Sequence, residues 1–379
     1  MSNRNVRQIT ILSSVHPYGD PRIFHKEVKS LAREFSVELY AVGEQKEFID
    51  GNILVHGLPA YKCRLCRIFT MIRLLFVALS SKSQVIHFHD PELMLVGWVI
   101  TLLTRKKVVY DVHEDYTKSL LSRDYIPEKK RMKTAQLFQR METWFSKRFD
   151  AIITVTEDIN ANFTPMKTTI IKNYPLLEAE RYEREAPNID HEREQKSIVI
   201  YVGALTKERG IKEMILSLRY IDASLKPSMI LIGTFDDPAY EQEVLALQQE
   251  LDFTHIGQIP HKEIDQWLHR STIGLVCLQP VDRYKTSLPL KMFEYMSAGL
   301  PIVASDFPLW KDILEQNQCG STVDPTNPEA IGKAIERLLQ NPEEAREMGL
   351  RGHLAYRVKY NWQTEEKKLI ELYRNLLKE

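Results

Sequence analysis

The residues able to do chemistry sit just beyond short apolar runs. Lys285 to Asp306 reads KTSLPLKMFEYMSAGLPIVASD, a polar loop in which Pro289 pre-sets the backbone for a first helical turn. Leu290, Phe293 and Met296 recur at helical spacing, which carries Lys291 and Glu294 on other faces. Gly299 closes the predicted helix, and Pro301 to Ala304 reads as a buried parallel strand. Free amides at such a helix start, with a nearby lysine, form a ready anion site, although the same loop–helix–strand unit also serves as plain scaffold. Tyr201 to Gly210 (YVGALTKERG) is a second strand, turn and helix start, with Lys207 and Arg209 at its mouth. His113 directly follows the predicted strand Lys107–Val112, and His89-Asp90 follow Gln84–Phe88. His16, Gly19 and Asp20 occupy the first strand-to-helix loop. An imidazole there can bond a hydroxyl without burying a fixed charge, while His89 also fits a satisfied strand-end residue.

The elements that must hold these residues alternate. Gln8–Leu12, Ser36–Val42, Asn52–His56, Gln84–Phe88, Lys107–Val112, Ala151–Val155 and Thr169–Ile171 read as strands. Helices are predicted near Arg22–Glu34, Arg64–Leu79, Pro91–Leu103 and Glu128–Arg148. Tyr174–Lys196 is charged, contains Pro175 and Pro187, and lacks apolar periodicity, which marks an interdomain linker. A second alternation runs from Ser197 to Tyr360, and a last helix covers Asn361–Leu377. The expected organisation is therefore 1–173, a linker 174–196, 197–360, and a terminal helix in 361–379. Strands alternating with helices predict α/β domains with doubly wound parallel sheets and ligands beyond the strand C-ends.

Composition narrows the partners. The 379 residues carry 51 basic and 51 acidic side chains, so overall charge names none. The distribution does more: residues 1–172 hold 26 basic and 18 acidic residues, and residues 51–89 contain no Asp or Glu. The first half is thus expected to meet something anionic, and its basic stretches 62–82 and 118–148 fit an anionic membrane surface as well as solvated helix faces. Cys63, Cys66, Cys277 and Cys319 are too few for a disulfide framework, and the Cys63–Cys66 pair reads as two reduced thiols on a helix start, ahead of redox or metal chemistry. No secretory h-region and no apolar run of spanning length is present, so a cytoplasmic protein is expected, either soluble or loosely bound at the periphery of the membrane. Asp236-Asp237 precede Pro238 as a helix N-cap and not as a metal site. No GxGxxG or Walker pattern occurs, and nothing points to nucleic acid.

The string SLPLKMFEYMSAGLPIVAS closely resembles the donor-binding segment of glycosyltransferase family 4, the retaining nucleotide-sugar transferases of GT-B fold. The resemblance implies two Rossmann-like domains facing a central cleft, with the final helix crossing back to the first domain on Trp362 and Tyr373. It implies a sugar moved from a nucleoside-diphosphate sugar to a saccharide or lipid-linked hydroxyl acceptor, without a metal or other cofactor, in cell-surface polysaccharide or glycolipid biosynthesis. Glu294 matches the family glutamate that accepts from ribose hydroxyls, and Arg209 matches one of its two phosphate-binding cations. Ala204 stands where the other cation is usual, with Lys207 or Lys291 as substitutes, and Thr286 stands where the family has its first glutamate. Thr286, Ser287, Leu288 and Pro289 are then expected around sugar hydroxyls or phosphate, Gly203 at the strand end, and Gly257 beside the nucleobase. His113 matches the histidine that meets the donor sugar, with His16, Gly19, Asp20 and His89 on the acceptor side. A nucleotide-sugar epimerase of the same fold and a non-catalytic nucleotide-sugar-binding partner are the two rival readings.

Overall fold

The computed structural model describes residues 8–44, 46–60, 67–121, 126–176 and 197–378. Two compact units emerge, one of Met1–Asn173 with Trp362–Glu379, the other of Tyr174–Asn361. The Cys63–Cys66 pair and most of the 174–196 linker lie outside the described residues. Tyr174, expected at the linker's start, is buried in the second unit, edge-on to Phe293 at 4.7 Å and to Tyr360 at 5.5 Å.

The first unit contains an eight-stranded sheet ordered β3-β4-β2-β1-β5-β6-β7-β8. Its strands are β1 (Gln8–Pro17), β2 (Ser36–Val42), β3 (Glu47–Asp50), β4 (Ile53–Leu58), β5 (Val85–Phe88), β6 (Lys107–Val112), β7 (Ala151–Thr154) and β8 (Thr168–Ile170). All neighbours pair in parallel except the edge strand β3, which returns antiparallel on β4. β3 was not expected: Glu47–Asp50 is exposed throughout and shows no apolar alternation.

Two local expectations need correction. β1 does not end at Leu12 but runs to Pro17, with a shift of register on β2 after Leu12. The cause is Asp90, whose Oδ2 accepts from the Ser13 hydroxyl at 2.9 Å and the Ser14 amide at 2.6 Å, holding the added residues extended. The helix expected over Arg22–Glu34 is a π-helical stretch, Ile23–Val28, followed by one α turn, Lys29–Leu31. Widened turns of this kind recur where a side chain is being aimed at a site, and this one aims Glu27 into the core.

The last helix, Trp362–Leu376, belongs to the first unit. Its buried Trp362, Leu369, Ile370 and Tyr373 fall on one face at helical spacing. Trp362 Nε1 donates to Ser30 Oγ at 2.9 Å, and Tyr373 hydroxyl meets His87 Nδ1 at 2.7 Å. Burying each of these large side chains contributes roughly 1.5–3 kcal/mol. The opposite sheet face is covered by the helices Arg67–Ser80, Met94–Leu103 and Glu128–Ser146, where Leu74 and Ile100 share a core with Phe88 of β5 and with Phe149.

The second unit has a six-stranded, wholly parallel sheet, β11-β10-β9-β12-β13-β14. The strands are β9 (Ser197–Val202), β10 (Pro227–Ile232), β11 (Phe253–Gly257), β12 (Ile273–Val276), β13 (Ile302–Ser305) and β14 (Gly320–Val323). Among the parallel strands of each sheet the order reverses once, between β1 and β5 and between β9 and β12. Ligands of open α/β sheets bind beyond the strand C-ends at such reversals.

Candidate functional site

In the second unit, three adjacent strands end in glycine. Gly203 (φ +136°), Gly233 (φ +147°) and Gly257 (φ +81°) all take conformations that side chains resist. Gly203 donates to Ile232 carbonyl at 2.8 Å and Gly233 donates to Gly257 carbonyl at 2.9 Å, so the three ends step past one another. A Cβ on Gly233 would stand 1.9 Å from the Gly203 carbonyl oxygen, whereas one on Gly257 meets nothing within 4 Å. Backbone is therefore bared at the sheet's C-terminal edge, beside Gly257. Gly233 escaped the sequence reading, although YVGAL, LIGTF and HIGQI share the same strand-end glycine.

The helix Leu290–Ser297 points its N-terminus at the same edge. It begins one residue later than expected, because Pro289 stays extended (φ −72°, ψ 121°) and precedes the first turn instead of entering it. At the other end, Gly299 (φ +67°) donates to Met296 carbonyl and Leu300 to Tyr295 carbonyl, both at 3.0 Å, which closes the helix with a Schellman turn. The Tyr295 hydroxyl accepts from the Val202 amide at 3.1 Å and locks the helix to β9. Trp310 Nε1 donates to the Ser287 carbonyl at 2.7 Å, which fixes the loop before it.

This framework sets Lys291 in an unusual position. Its side chain is buried, and its Nζ has no hydrogen-bond partner among the described residues; instead it lies 3.7 Å from the Tyr201 ring centroid. A Cβ on Gly203 would approach that Nζ to 2.9 Å, so the glycine is what leaves room for the ammonium. Burial, then the Arg209 guanidinium, push Lys291 well below the ordinary lysine pKa, with Glu294 opposing. Arg209 itself packs over Tyr284 at 5.2 Å. Two neighbouring cations, one of them buried with no hydrogen-bond partner among the described residues, form an anion receptor. Tyr201 and Tyr284, which shape it, were not singled out from sequence because aromatic residues at strand ends ordinarily belong to the core.

The remaining candidates of this unit distribute unevenly. Glu294 is half-buried three residues beyond Lys291, one turn along the helix. Thr286 and Ser287 are half-buried at the end of the short helix Asp282–Lys285, and Leu288 packs on the core. Lys207 is directed elsewhere: its Nζ lies over Tyr240, 5.5 Å from the ring centroid. Asp237 caps the helix Pro238–Leu245 through the Ala239 amide at 2.9 Å.

In the first unit, His16, Asp20, Asp90 and His113 gather at the C-ends of β1, β5 and β6. His16 lies 3.5 Å from Asp20 and 3.4 Å from Asp90, and its ring meets that of His113 edge-on at 5.0 Å. Asp20 also accepts from the amides of Arg22 and Ile23; burial works against its charge, but these bonds and His16 prevail and bring it to about 2. Gly19 has an open surrounding. His89, by contrast, is wholly buried, behind His113.

Beneath His113 lies a buried ionic cluster that the sequence did not announce. Arg22 contacts Glu27 and Asp111, each at 2.8 Å; Asp111 lies 3.5 Å from His113 Nδ1, and His89 lies 3.5 Å from Glu27. Glu27, His87, His89 and Asp111 place possible ligand atoms within 4.8 Å of one another. The donor set would suit a divalent ion, but Arg22 already faces both carboxylates. With Arg22 and Asp111 charged, a single proton on Glu27 leaves the cluster neutral, whereas a divalent ion would leave excess buried charge. Burial first, and the Asp111 charge second, push Glu27 well above the usual carboxylate range, consistent with that proton.

Comparison with known proteins agrees with this architecture. A family model for Glycosyltransferase Family 4 matches residues 22–168, and one for Glycosyl transferases group 1 matches residues 183–354. The chain is 22% identical to an alpha-maltose-1-phosphate synthase of Mycolicibacterium smegmatis over 258 residues, 60% of this chain and 63% of that one. It is 21% identical to a glycogen synthase of Mycobacterium tuberculosis over 350 residues, 88% of this chain and 78% of that one. Among solved structures, Anabaena Alr3699/HepE in complex with UDP superposes with a TM-score of 0.74 at 16% identity, over 97% of this chain and 100% of that one. Sucrose-phosphate synthase from Thermosynechococcus elongatus gives 0.72 at 19% identity, over 98% and 99%; such distant likenesses establish the GT-B fold alone. With both halves matched in order and both sheets of the expected kind, the chain belongs to the group 1 glycosyltransferases of family 4.

Proposed function

We propose that the protein is a retaining glycosyltransferase that moves a sugar from a nucleoside-diphosphate sugar to a hydroxyl acceptor, saccharide or lipid-linked, in cell-surface polysaccharide or glycolipid biosynthesis on the cytoplasmic side. The observation that carries the reading is the buried, unpaired ammonium of Lys291 beside Arg209. When the glycosidic bond to the diphosphate breaks, negative charge collects on the phosphate oxygens. Lys291, Arg209 and the helix N-terminus at Leu290 would receive it without reorganising. Glu294 is assigned to the ribose hydroxyls, because one carboxylate accepts from two vicinal hydroxyls. The bared backbone at Gly257 is assigned to the nucleobase, Thr286 and Ser287 to sugar or phosphate, and His113 to a sugar hydroxyl. The acceptor enters on the face the phosphate leaves, and a phosphate oxygen takes its proton, so no bound metal or other cofactor is assigned a role.

Three solved structures of similar fold are Alr3699/HepE with UDP, with UDP and glucose, and with UDP-glucose, so uridine nucleotides head the panel to test. Thermal-shift measurement against nucleoside diphosphates and nucleotide sugars should reveal the donor, since a bound ligand raises apparent stability by mass action. Titration calorimetry of Glu294→Ala and Lys291→Ala then tests the assignment, with affinity expected to fall at least tenfold. Unchanged affinity in both variants removes this site from donor binding. Product analysis with and without acceptor separates transfer from epimerisation and from binding alone.

A further inference from the structure

More than half of the large apolar side chains exposed among the described residues lie on three neighbouring helices of the first unit, Arg67–Ser80, Met94–Leu103 and Glu128–Ser146. On the first of these, Phe69, Ile72 and Phe76 share a face opposite the buried Thr70, Leu74 and Ala78; Phe69 is 67% and Phe76 66% exposed. On the third, Leu137, Met141 and Trp144 form a stripe, Leu137 being 60% exposed. Leu103, 67% exposed, ends the helix that lies between them. The three are joined: the Trp98 and Trp144 rings stand 5.5 Å apart, and Lys106 Nζ donates to the Ala78 and Ser81 carbonyls at 2.5 Å.

Charge decides what such a face is for. The helix Arg67–Ser80 carries Arg67 and Arg73 and no acid. Residues 128–148 contain seven basic residues against two acids, Glu128 at the helix start and Glu142. Glu142 is turned inward and accepts from the Tyr110 hydroxyl at 2.9 Å, so it offers nothing to the surface. Lys130, Lys133 and Arg140 fall at helical spacing among Leu137, Met141 and Trp144. The cores of protein–protein interfaces are depleted in lysine. Interleaved cations and large apolar groups instead match a lipid surface, where apolar tips enter the acyl boundary and lysine stems reach back to phosphates. No helix among the described residues is long and apolar enough to cross a membrane, so the protein would lie on the bilayer, not through it.

We infer that this three-helix face of the first unit is a docking surface for an anionic lipid bilayer. The surface would keep the enzyme where a lipid-linked acceptor is displayed; that consequence rests on the function proposed above, whereas the binding itself does not.

Co-sedimentation with vesicles of phosphatidylcholine alone and of equal parts phosphatidylcholine and phosphatidylglycerol tests it. Binding is expected to the mixed vesicles, weakly to the neutral ones, and to fall with added salt. Reversing three cations (Lys130→Glu, Lys133→Glu, Arg140→Glu) should reduce partitioning by at least a hundredfold, each lost cation alone being worth about fivefold. Phe69→Ser with Phe76→Ser should reduce it by about tenfold or more. Trp144 emission should shift to the blue on the mixed vesicles and not in Trp144→Phe. Circular dichroism and urea unfolding check that the variants remain folded. Equal binding to both vesicles, no binding, or variants that bind like the parent would overturn the inference. So would sedimentation showing a dimer that Phe69→Ser with Phe76→Ser dissociates, since a second copy would then cover the face.

Discussion

The ammonium of Lys291 rests 3.7 Å from the centroid of the Tyr201 ring, and the Glu294 carboxylate, three residues along the same helix, opposes but does not cancel the cost of its burial. A cation over an aromatic face gains about 2 kcal/mol when desolvated, less than the cost of burying an unpaired charge. The position is therefore a stored liability that a phosphate would relieve. Lys291→Met keeps the unbranched apolar stem and removes the charge. It is expected to raise the stability of the ligand-free protein by about 1–3 kcal/mol, visible as a higher melting temperature, while abolishing the shift caused by nucleotide. A variant both less stable and still responsive to nucleotide would show that Lys291 is a core lysine and nothing more.

The same residue predicts a pH dependence. Burial first, then Arg209, hold Lys291 well below the ordinary lysine value in the free protein. A bound diphosphate favours the charged form and raises it again, so between the two values binding takes up a proton. The sign follows: affinity for a nucleotide sugar, whose diphosphate diester does not titrate near neutrality, weakens as pH rises, by at most about tenfold per unit. Calorimetry in buffers of different ionisation enthalpy should report proton uptake at pH values between the two, absent in Lys291→Met. Proton release on binding would contradict the assignment.

The glycine steps give a stability contrast. Gly233→Ala meets both a left-handed φ and a carbonyl oxygen 1.9 Å from the new Cβ, and should cost at least about 3 kcal/mol in urea unfolding. Gly257→Ala has only the backbone strain, φ +81° in open space, and should cost about 1–2 kcal/mol while still weakening nucleotide binding. Equal losses in the two would mean that β10 and β9 yield more readily than their interstrand bonds imply.

What could be read from the sequence follows from how local each signal is. The buried strands of both sheets announced themselves as apolar runs between helical periods, and Gly299 and Pro301 marked a helix end that the Schellman turn realises. Glu294 and Lys291 could be named because they lie within one contiguous string. Tyr201 and Lys291 are ninety residues apart, and nothing in either segment states that the ring will receive the ammonium. β3 was missed because exposed Glu47–Asp50 has no periodicity, and it becomes a strand only by pairing with β4. The cluster beneath His113 draws Arg22, Glu27, His87, His89, Asp111 and Tyr373 from four segments, including the last helix, so no spacing rule could expose it.

That cluster carries the last prediction. If Arg22 and Asp111 are the charged pair and Glu27 is the protonated member, the two acids should respond oppositely to amide replacement. Glu27→Gln preserves shape and neutrality and is expected within about 1 kcal/mol of the parent in chemical unfolding. Asp111→Asn strands the buried guanidinium of Arg22, which donates to Asp111 Oδ2 at 2.8 Å, and should cost about 3–5 kcal/mol. It also replaces the carboxylate beside His113 Nδ1 by an amide that can present a donor there, so nitrogen-15 spectra should show that imidazole changing its tautomer in Asp111→Asn and not in Glu27→Gln. Were Glu27→Gln the more damaging of the two, the charge would reside on Glu27, and Asp111 would be the member that holds the proton.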